Sequence, residues 1–62
     1  MTFIRLVNDL LDNKKQARFV LKSGHAITGN VASRANGIAY IERTGNPVAH
    51  VDIAEIAAIE YP

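Results

Sequence analysis

The chain has 62 residues, a formal net charge of +1 and 48% hydrophobic residues. It has no cysteine, which excludes disulfide bonds and thiolate metal sites, and no apolar run approaches the roughly 20 residues of a membrane-spanning helix. A domain of about 60 residues buries only roughly 60% of the surface that its unfolded chain exposes. Since small domains usually need a disulfide, a metal or a partner subunit, we expect this chain to gain stability by oligomerisation.

The charges are unevenly distributed along the chain. Residues 13–41 carry five basic side chains and no acidic one, whereas residues 42–62 carry one basic and four acidic side chains. This distribution predicts one positive and one negative face. Ordinary solvated charge is the alternative interpretation, because charge at the sequence level bears on binding and not on the fold.

The first segment has helical periodicity. Apolar side chains recur with the spacing of a single helix face, at Phe3, Leu6, Val7, Leu10 and Leu11. We predict a helix over residues 2–12, with Thr2 as its N-cap and Asn13 as the left-handed residue that ends it. A helix of about ten residues is marginal alone, so its apolar stripe must dock on the rest of the chain.

From residue 17 the apolar period changes to two, which is typical of β-strands. Ser23-Gly24 predicts a two-residue hairpin turn between the first two strands. Gly29 interrupts the second strand and predicts a sharp bend or a bulge there.

Two further turns divide the rest of the chain, one at Asn36-Gly37 and one at residues 44–47. Pro47 is expected to end any strand ladder before it. Three more strands are predicted, over residues 38–41, 48–53 and 56–61. A helix over residues 52–60 is the alternative, because Ala and Glu favour helices.

These elements predict a single mainly β domain over residues 1–62. An N-terminal α-helix is followed by a strongly bent five-stranded antiparallel small barrel, over residues 17–61, whose open end the helix covers. Strands 48–53 and 56–61 are expected to be edges with few blocking charges, and such edges template pairing with another chain. Pairing of the fourth strand of one subunit with the fifth of the next gives a ring of identical subunits.

Residues 21–31, LKSGHAITGNV, contain a glycine, two residues, an aliphatic residue, one residue, a second glycine, one residue and an aliphatic residue. This pattern resembles the first motif of the Sm/Lsm family, and residues 51–59 are similar to its second motif. Within the family, the chain looks most like bacterial Hfq and its viral relatives. The resemblance implies an Sm-like (SH3-like) barrel in a homo-oligomeric ring, which by analogy with Hfq is a hexamer. It also implies an RNA chaperone or riboregulator that binds single-stranded RNA in the cytoplasm of a bacterial or phage-infected cell.

Three RNA-binding surfaces follow from the resemblance. The loop after the second strand, on the pore side, supplies Arg34 and Asn36, which can contact phosphates and base edges. The distal face comprises Lys22, Ser23, Gly24, His25 and Thr28. A basic rim near the end of the helix comprises Lys14, Lys15 and Arg18. No cofactor, metal or enzymatic activity is expected, because no nucleophile or pocket accompanies the acidic residues.

The chain departs from the family pattern at several contact positions. Ala35 and Gly37 stand where the family has an acid and a base-stacking aromatic residue, and Ile53 and Ala54 stand where Hfq has lysine and histidine. Stacking of a base on an aromatic side chain is worth roughly 1–3 kcal/mol. A structural ring-assembly module that has lost the RNA-binding sites is therefore the alternative function. A small SH3-like barrel that binds DNA or protein is a third interpretation.

Overall fold

The computed structural model describes residues 3–61. The secondary-structure elements in this range are α1 (Ile4–Asn13), β1 (Gln16–Leu21), β2 (Ala26–Ala35), β3 (Ile38–Arg43), β4 (Asn46–Asp52) and β5 (Ile56–Glu60), with a 3₁₀ turn, Ile53–Glu55, between β4 and β5. The five strands form one antiparallel sheet in the order β4-β3-β2-β1-β5. The predicted mainly β fold with an N-terminal helix is confirmed.

Helix α1 lies slightly later in the chain than the predicted range of residues 2–12. The predicted N-cap, Thr2, lies outside the described residues, and Phe3 holds that position without a side-chain hydrogen bond. Lys14, and not Asn13, adopts the left-handed conformation, with φ of 53°. The side-chain amide of Asn13 instead donates a hydrogen bond of 2.9 Å to the backbone carbonyl oxygen of Asp9. Asn13 is thus part of the last helical turn.

The apolar stripe of α1 docks on the sheet as the periodicity predicts. Val7 and Leu10 are buried in a core that also contains Ala17, Phe19, Val31, Ala39, Ile41, Val51, Ile53 and Ile56. Full burial of an aliphatic side chain of this size contributes about 1.5–3 kcal/mol. The short helix is therefore held by its contact with the sheet and not by its own propensity.

The first hairpin has a longer loop than predicted at Ser23-Gly24. The Leu21 N–H donates to the His25 carbonyl oxygen at 2.8 Å, and the Gly24 N–H donates to the Leu21 carbonyl oxygen at 2.9 Å. Three residues therefore form the loop, and Gly24, with φ of 95°, is the left-handed residue that such loops require.

The turn between β2 and β3 has the predicted length. Asn36 and Gly37 both have positive φ, of 53° and 78°. A two-residue hairpin turn with this pair of angles suits the twist of the flanking strands.

The middle strands are longer than the sequence predicts. β2 continues to Ala35, so Arg34 lies in a strand and not in the loop after it. β4 begins at Asn46, and the prediction that Pro47 ends the ladder is wrong, because Asn46 pairs with Arg43 on β3. A proline is tolerated there because β4 is an edge strand, which needs donors on one side only.

The connection between β4 and β5 is the least expected feature. Because β5 pairs with β1, two consecutive strands lie at opposite edges of the sheet, and the predicted simple meander ends at β4. In a flat sheet of five strands, the outer strands would lie about 19 Å apart. The four Cα–Cα steps from Asp52 to Ile56 cover at most about 15 Å. The sheet therefore has to curl.

Hydrogen bonds show where the curl occurs. The 3₁₀ turn bonds to the chain beyond both ends of β2. The Ile53 N–H donates to the Gly37 carbonyl oxygen at 2.9 Å, and the Lys22 N–H donates to the Glu55 carbonyl oxygen at 2.9 Å. A straight strand of ten residues would hold its ends about 30 Å apart, so β2 must be strongly bent. The sheet nevertheless stays open, because β4 and β5 are not paired. These two strands are the edges that the sequence predicts, and the order of the strands confirms that prediction.

Gly29 permits the bend of β2. A Cβ atom at this position would lie 2.3 Å from the carbonyl oxygen of Glu42 and 2.9 Å from the Ile41 side chain. The pairing of β2 with β3 also shifts register between Val31 and Ser33, and a bulge of this kind bends its strand. The predicted bend is thus produced by a close backbone approach at Gly29 and a bulge at Ala32.

We expect Gly29→Ala to lower the free energy of unfolding by about 3 kcal/mol, because the added methyl group has a backbone atom in its place. Gly45→Ala is the control, since nothing lies within 4 Å of its Cβ position and only the positive φ of 75° is unfavourable. Its expected cost is about 1 kcal/mol. Urea denaturation at one fixed protein concentration measures both, and equal losses would contradict the close approach at Gly29.

Candidate nucleic-acid interface

The predicted rim residue Arg18 and the predicted distal residue Thr28 belong to the same surface. They lie directly opposite each other on β1 and β2. Ala17 and Phe19 face the core. Side chains alternate along a strand, so Gln16 and Arg18 face outwards, and the residues directly opposite them share that face. We call this surface the outer face; it is formed by Gln16, Arg18, Thr28, Asn30 and Glu60.

Arg18 is paired with an acidic residue on this face. Its Nη1 atom lies 2.6 Å from Oε1 of Glu60 on β5, and the two side chains are 53% and 61% exposed. Residues 13–41 contain no acidic residue, but the fold places the Glu60 carboxylate beside Arg18. Arg18, which the resemblance assigns to the basic rim, therefore has an acidic partner in the folded chain.

An open depression of about 310 Å³ lies around the ion pair. It is lined by Gln16, Ala17, Arg18, Thr28 and Glu60. The side chains of these residues include an amide, a hydroxyl, a guanidinium and a carboxylate group. The amide, hydroxyl and guanidinium groups can donate to phosphate and ribose oxygens or to base edges, whereas the carboxylate can only accept.

Lys14 and Lys15 lie at the end of α1, and both are exposed. Lys14 lines a second depression, of about 250 Å³, together with Asn30 on β2 and Glu42 on β3. This depression adjoins the outer face, because Asn30 is directly opposite Gln16. The two predicted rim lysines therefore border the outer face, although Lys14 shares its depression with an acid.

The remaining predicted distal residues form the loop between β1 and β2. Lys22, Ser23, Gly24 and His25 are all exposed. The His25 N–H lies 3.5 Å from the Ser23 hydroxyl oxygen, and the backbone of Lys22 is bonded to the 3₁₀ turn. The backbone of the loop is thereby tied down, while the Lys22 and His25 side chains face solvent.

The predicted pore-side pair, Arg34 and Asn36, is divided between two environments. Arg34 lies opposite Ala39, which in turn lies opposite the buried Val51, and its side chain is half-buried. The bulge at Ala32 turns Arg34 to this side, because one extra residue reverses the alternation of faces. Asn36 is exposed and supplies the positive φ of its turn.

Sequence reasoning missed an aromatic pair on β3 and β4. The rings of Tyr40 and His50 lie 4.8 Å apart, edge to face, at an interplanar angle of 85°. Ser33 lies opposite Tyr40 on the other side, so the three residues form a row across the sheet. No local pattern indicates this row, because it depends on the register of three strands.

The acidic corner has a structural role. The Asp52 carboxylate accepts a hydrogen bond of 3.0 Å from the Ala54 N–H and so caps the 3₁₀ turn. Within residues 3–61, no three histidine, aspartate or glutamate side chains come together as metal ligands. No helix in the described part of the chain is long and apolar enough to cross a membrane.

Comparison of the sequence with models of protein families gives no match, and comparison with curated proteins gives none either. The resemblance to the Sm/Lsm family therefore stays a prediction, based on the motif at residues 21–31 and the order of the elements.

We expect Arg18→Gln and Glu60→Gln to change the free energy of unfolding by less than about 1 kcal/mol each, because exposed ion pairs contribute little. Ile41→Ala, in the core, tests the sensitivity of the measurement and should cost about 2–5 kcal/mol. Urea denaturation followed by circular dichroism compares the three. A loss of several kcal/mol in either polar variant would show that the pair supports the fold.

Proposed function

We propose that this chain binds single-stranded RNA as an Sm-like homo-oligomeric ring and acts as an RNA chaperone or riboregulator. By analogy with Hfq, the proposed ring is a hexamer. The cytoplasm of a bacterial or phage-infected cell is the proposed location. The main support comes from the sheet order, which leaves β4 and β5 unpaired at the two edges of a curled sheet. In a ring, one repeated contact between β4 of one subunit and β5 of the next would pair both edges.

The edges have the properties of an assembly surface. An edge strand presents a row of unpaired backbone groups that can pair with another chain. Val48 on β4 is 47% exposed, and Tyr61, directly after β5, is 48% exposed, so each edge carries an apolar side chain. Pairing of β4 with β5 of the next copy is a head-to-tail contact, which produces a ring when its rotation closes.

Repetition in the ring supports RNA binding by weak sites. In each subunit, Lys14, Lys15 and Lys22 are exposed, and within residues 3–61 none of them forms an ion pair. Each phosphate that a lysine neutralises releases counterions, which favours binding at low salt. A strand that contacts several subunits gains affinity through effective concentration.

Neutral polar groups on the outer face add contacts of a second kind. Gln16, Thr28 and Asn30 lie between the rim lysines and the Lys22–His25 loop. Amide and hydroxyl groups can bind base edges and the 2′-hydroxyl group of unpaired RNA. RNA would thus be held by phosphate contacts at the borders of the face and by polar contacts within it.

The alternative function is a structural ring-assembly module without RNA binding. Three features favour it: Arg18 is already paired with Glu60, Arg34 is half-buried, and Ala35 and Gly37 offer no stacking surface. Both functions require the ring, so only a binding measurement separates them.

We expect labelled oligo(U) and oligo(A) to bind at low salt and to dissociate at high salt. Lys15→Gln and Lys22→Gln should each weaken binding and reduce the slope of log K against log salt by about 0.7 per lost contact. Arg5→Gln is the matched control, because Arg5 is an exposed cation of α1 outside the proposed surface. Fluorescence anisotropy at several salt concentrations measures these effects.

Absence of binding to either oligonucleotide at low salt would refute the RNA function and leave the assembly module. Competition by duplex DNA at equal strength would instead indicate the third interpretation, a small barrel that binds DNA. An equal effect of Arg5→Gln would show that only the net charge matters.

We expect a native mass measurement to give a closed oligomer and Val48→Lys to shift it towards monomer, because a buried charge at the β4 edge opposes pairing. Thr44→Lys, in the turn between β3 and β4, adds the same charge away from the proposed contact and should leave the mass unchanged. A wild-type chain that is a folded monomer at micromolar concentration would exclude the ring.

A further inference from the structure

Arg18 is the basic residue of the outer face that has an acidic partner. Arg18 and Glu60 are directly opposed in the pairing of β1 with β5, and their side chains meet at 2.6 Å. More than half of each side chain is exposed. The ion pair is therefore formed by the fold itself, yet a ligand that approaches the outer face can reach it.

The guanidinium group binds carboxylate and phosphate in the same way. It presents its N–H donors in a planar fork that fits the oxygens of either group. A phosphate oxygen that approaches Arg18 must displace the Glu60 carboxylate or bind beside its negative charge. In both cases Glu60 reduces the net attraction between Arg18 and the phosphate.

Glu60 also determines the charge of the depression. The other residues that line it, Gln16, Ala17 and Thr28, are neutral. With Glu60 ionised the depression has no net charge, and without Glu60 it carries the single positive charge of Arg18. One carboxylate thus decides whether this part of the outer face attracts a phosphate.

We propose that Glu60 is an autoinhibitory residue that competes with RNA phosphate for Arg18, a role that rests on the proposed RNA-binding function. The competitor lies on β5, and the cation lies on β1. Pairing of these two strands is part of the fold, so every subunit of a ring would carry the same competitor. The chain then binds single strands more weakly than its exposed cations allow.

The test compares Glu60→Gln with the wild-type chain in oligo(A) and oligo(U) titrations over a range of salt concentrations. Glu60→Gln keeps the size of the side chain and should lower Kd by about two- to fivefold, the range expected for one exposed ion pair. The slope of log K against log salt should steepen by about 0.7, because one more phosphate contact forms.

Two controls separate competition from a general effect of charge. Asp9→Asn removes the same charge from the exposed surface of α1 and should change Kd less than Glu60→Gln does. Arg18→Gln removes the cation for which Glu60 competes. In the Arg18→Gln background, Glu60→Gln should produce no gain beyond that of Asp9→Asn, because coupling between two contacting residues disappears when one is removed.

A gain in affinity that depends on Arg18 supports the role. A gain of the same size without Arg18, or one no larger than that of Asp9→Asn, overturns it while the RNA function stands. A loss of affinity in Glu60→Gln also overturns it, since Glu60 would then position Arg18 for binding. Failure of every variant to bind at low salt overturns the proposed function and this role together. Circular dichroism confirms that each variant is folded.

Discussion

The short connection between β4 and β5 is the constraint on which the rest of this structure depends. It joins strands at opposite edges of the sheet and bonds through its backbone to the chain beyond both ends of β2. A flat sheet cannot satisfy these bonds, because the ends of a ten-residue strand and the edges of five strands would lie too far apart. The curl that results creates a concave face, which α1 covers with Val7 and Leu10, and a convex outer face of polar residues.

The same constraint explains why β4 and β5 stay unpaired and why Glu60 lies beside Arg18. In the sheet of the described residues, β5 pairs with β1 and β4 pairs with β3, so each of these two strands has one neighbour. Placement of β5 beside β1 sets Glu60 against Arg18. One acid from the last third of the sequence thus lies against one cation of the acid-free stretch, residues 13–41. Any attraction of the outer face for an anion is the balance between such pairs and the exposed lysines around them.

The sequence predicted elements well where the cause is local. The helical stripe follows from the spacing of Phe3, Leu6, Val7, Leu10 and Leu11, and the turn at Asn36-Gly37 follows from the positive φ that both residues tolerate. The predicted bounds of the strands were less accurate where pairing with an adjacent strand determines them. Pro47 lies within a strand because β4 is an edge, and Arg34 lies within β2 because its pairing with β3 continues past the bulge.

By its sequence alone, this chain determined one amphipathic helix, five strands, their approximate positions and a bend at Gly29, since periodicity and backbone freedom act over a few residues. Tertiary structure alone decided that β5 lies beside β1, that Arg18 is paired with Glu60, that Tyr40 contacts His50, and that Arg34 turns to the side of Val51. Each of these depends on strand register. Register is set by packing between residues that are distant in the chain, and a shift of one residue reverses the face of every side chain.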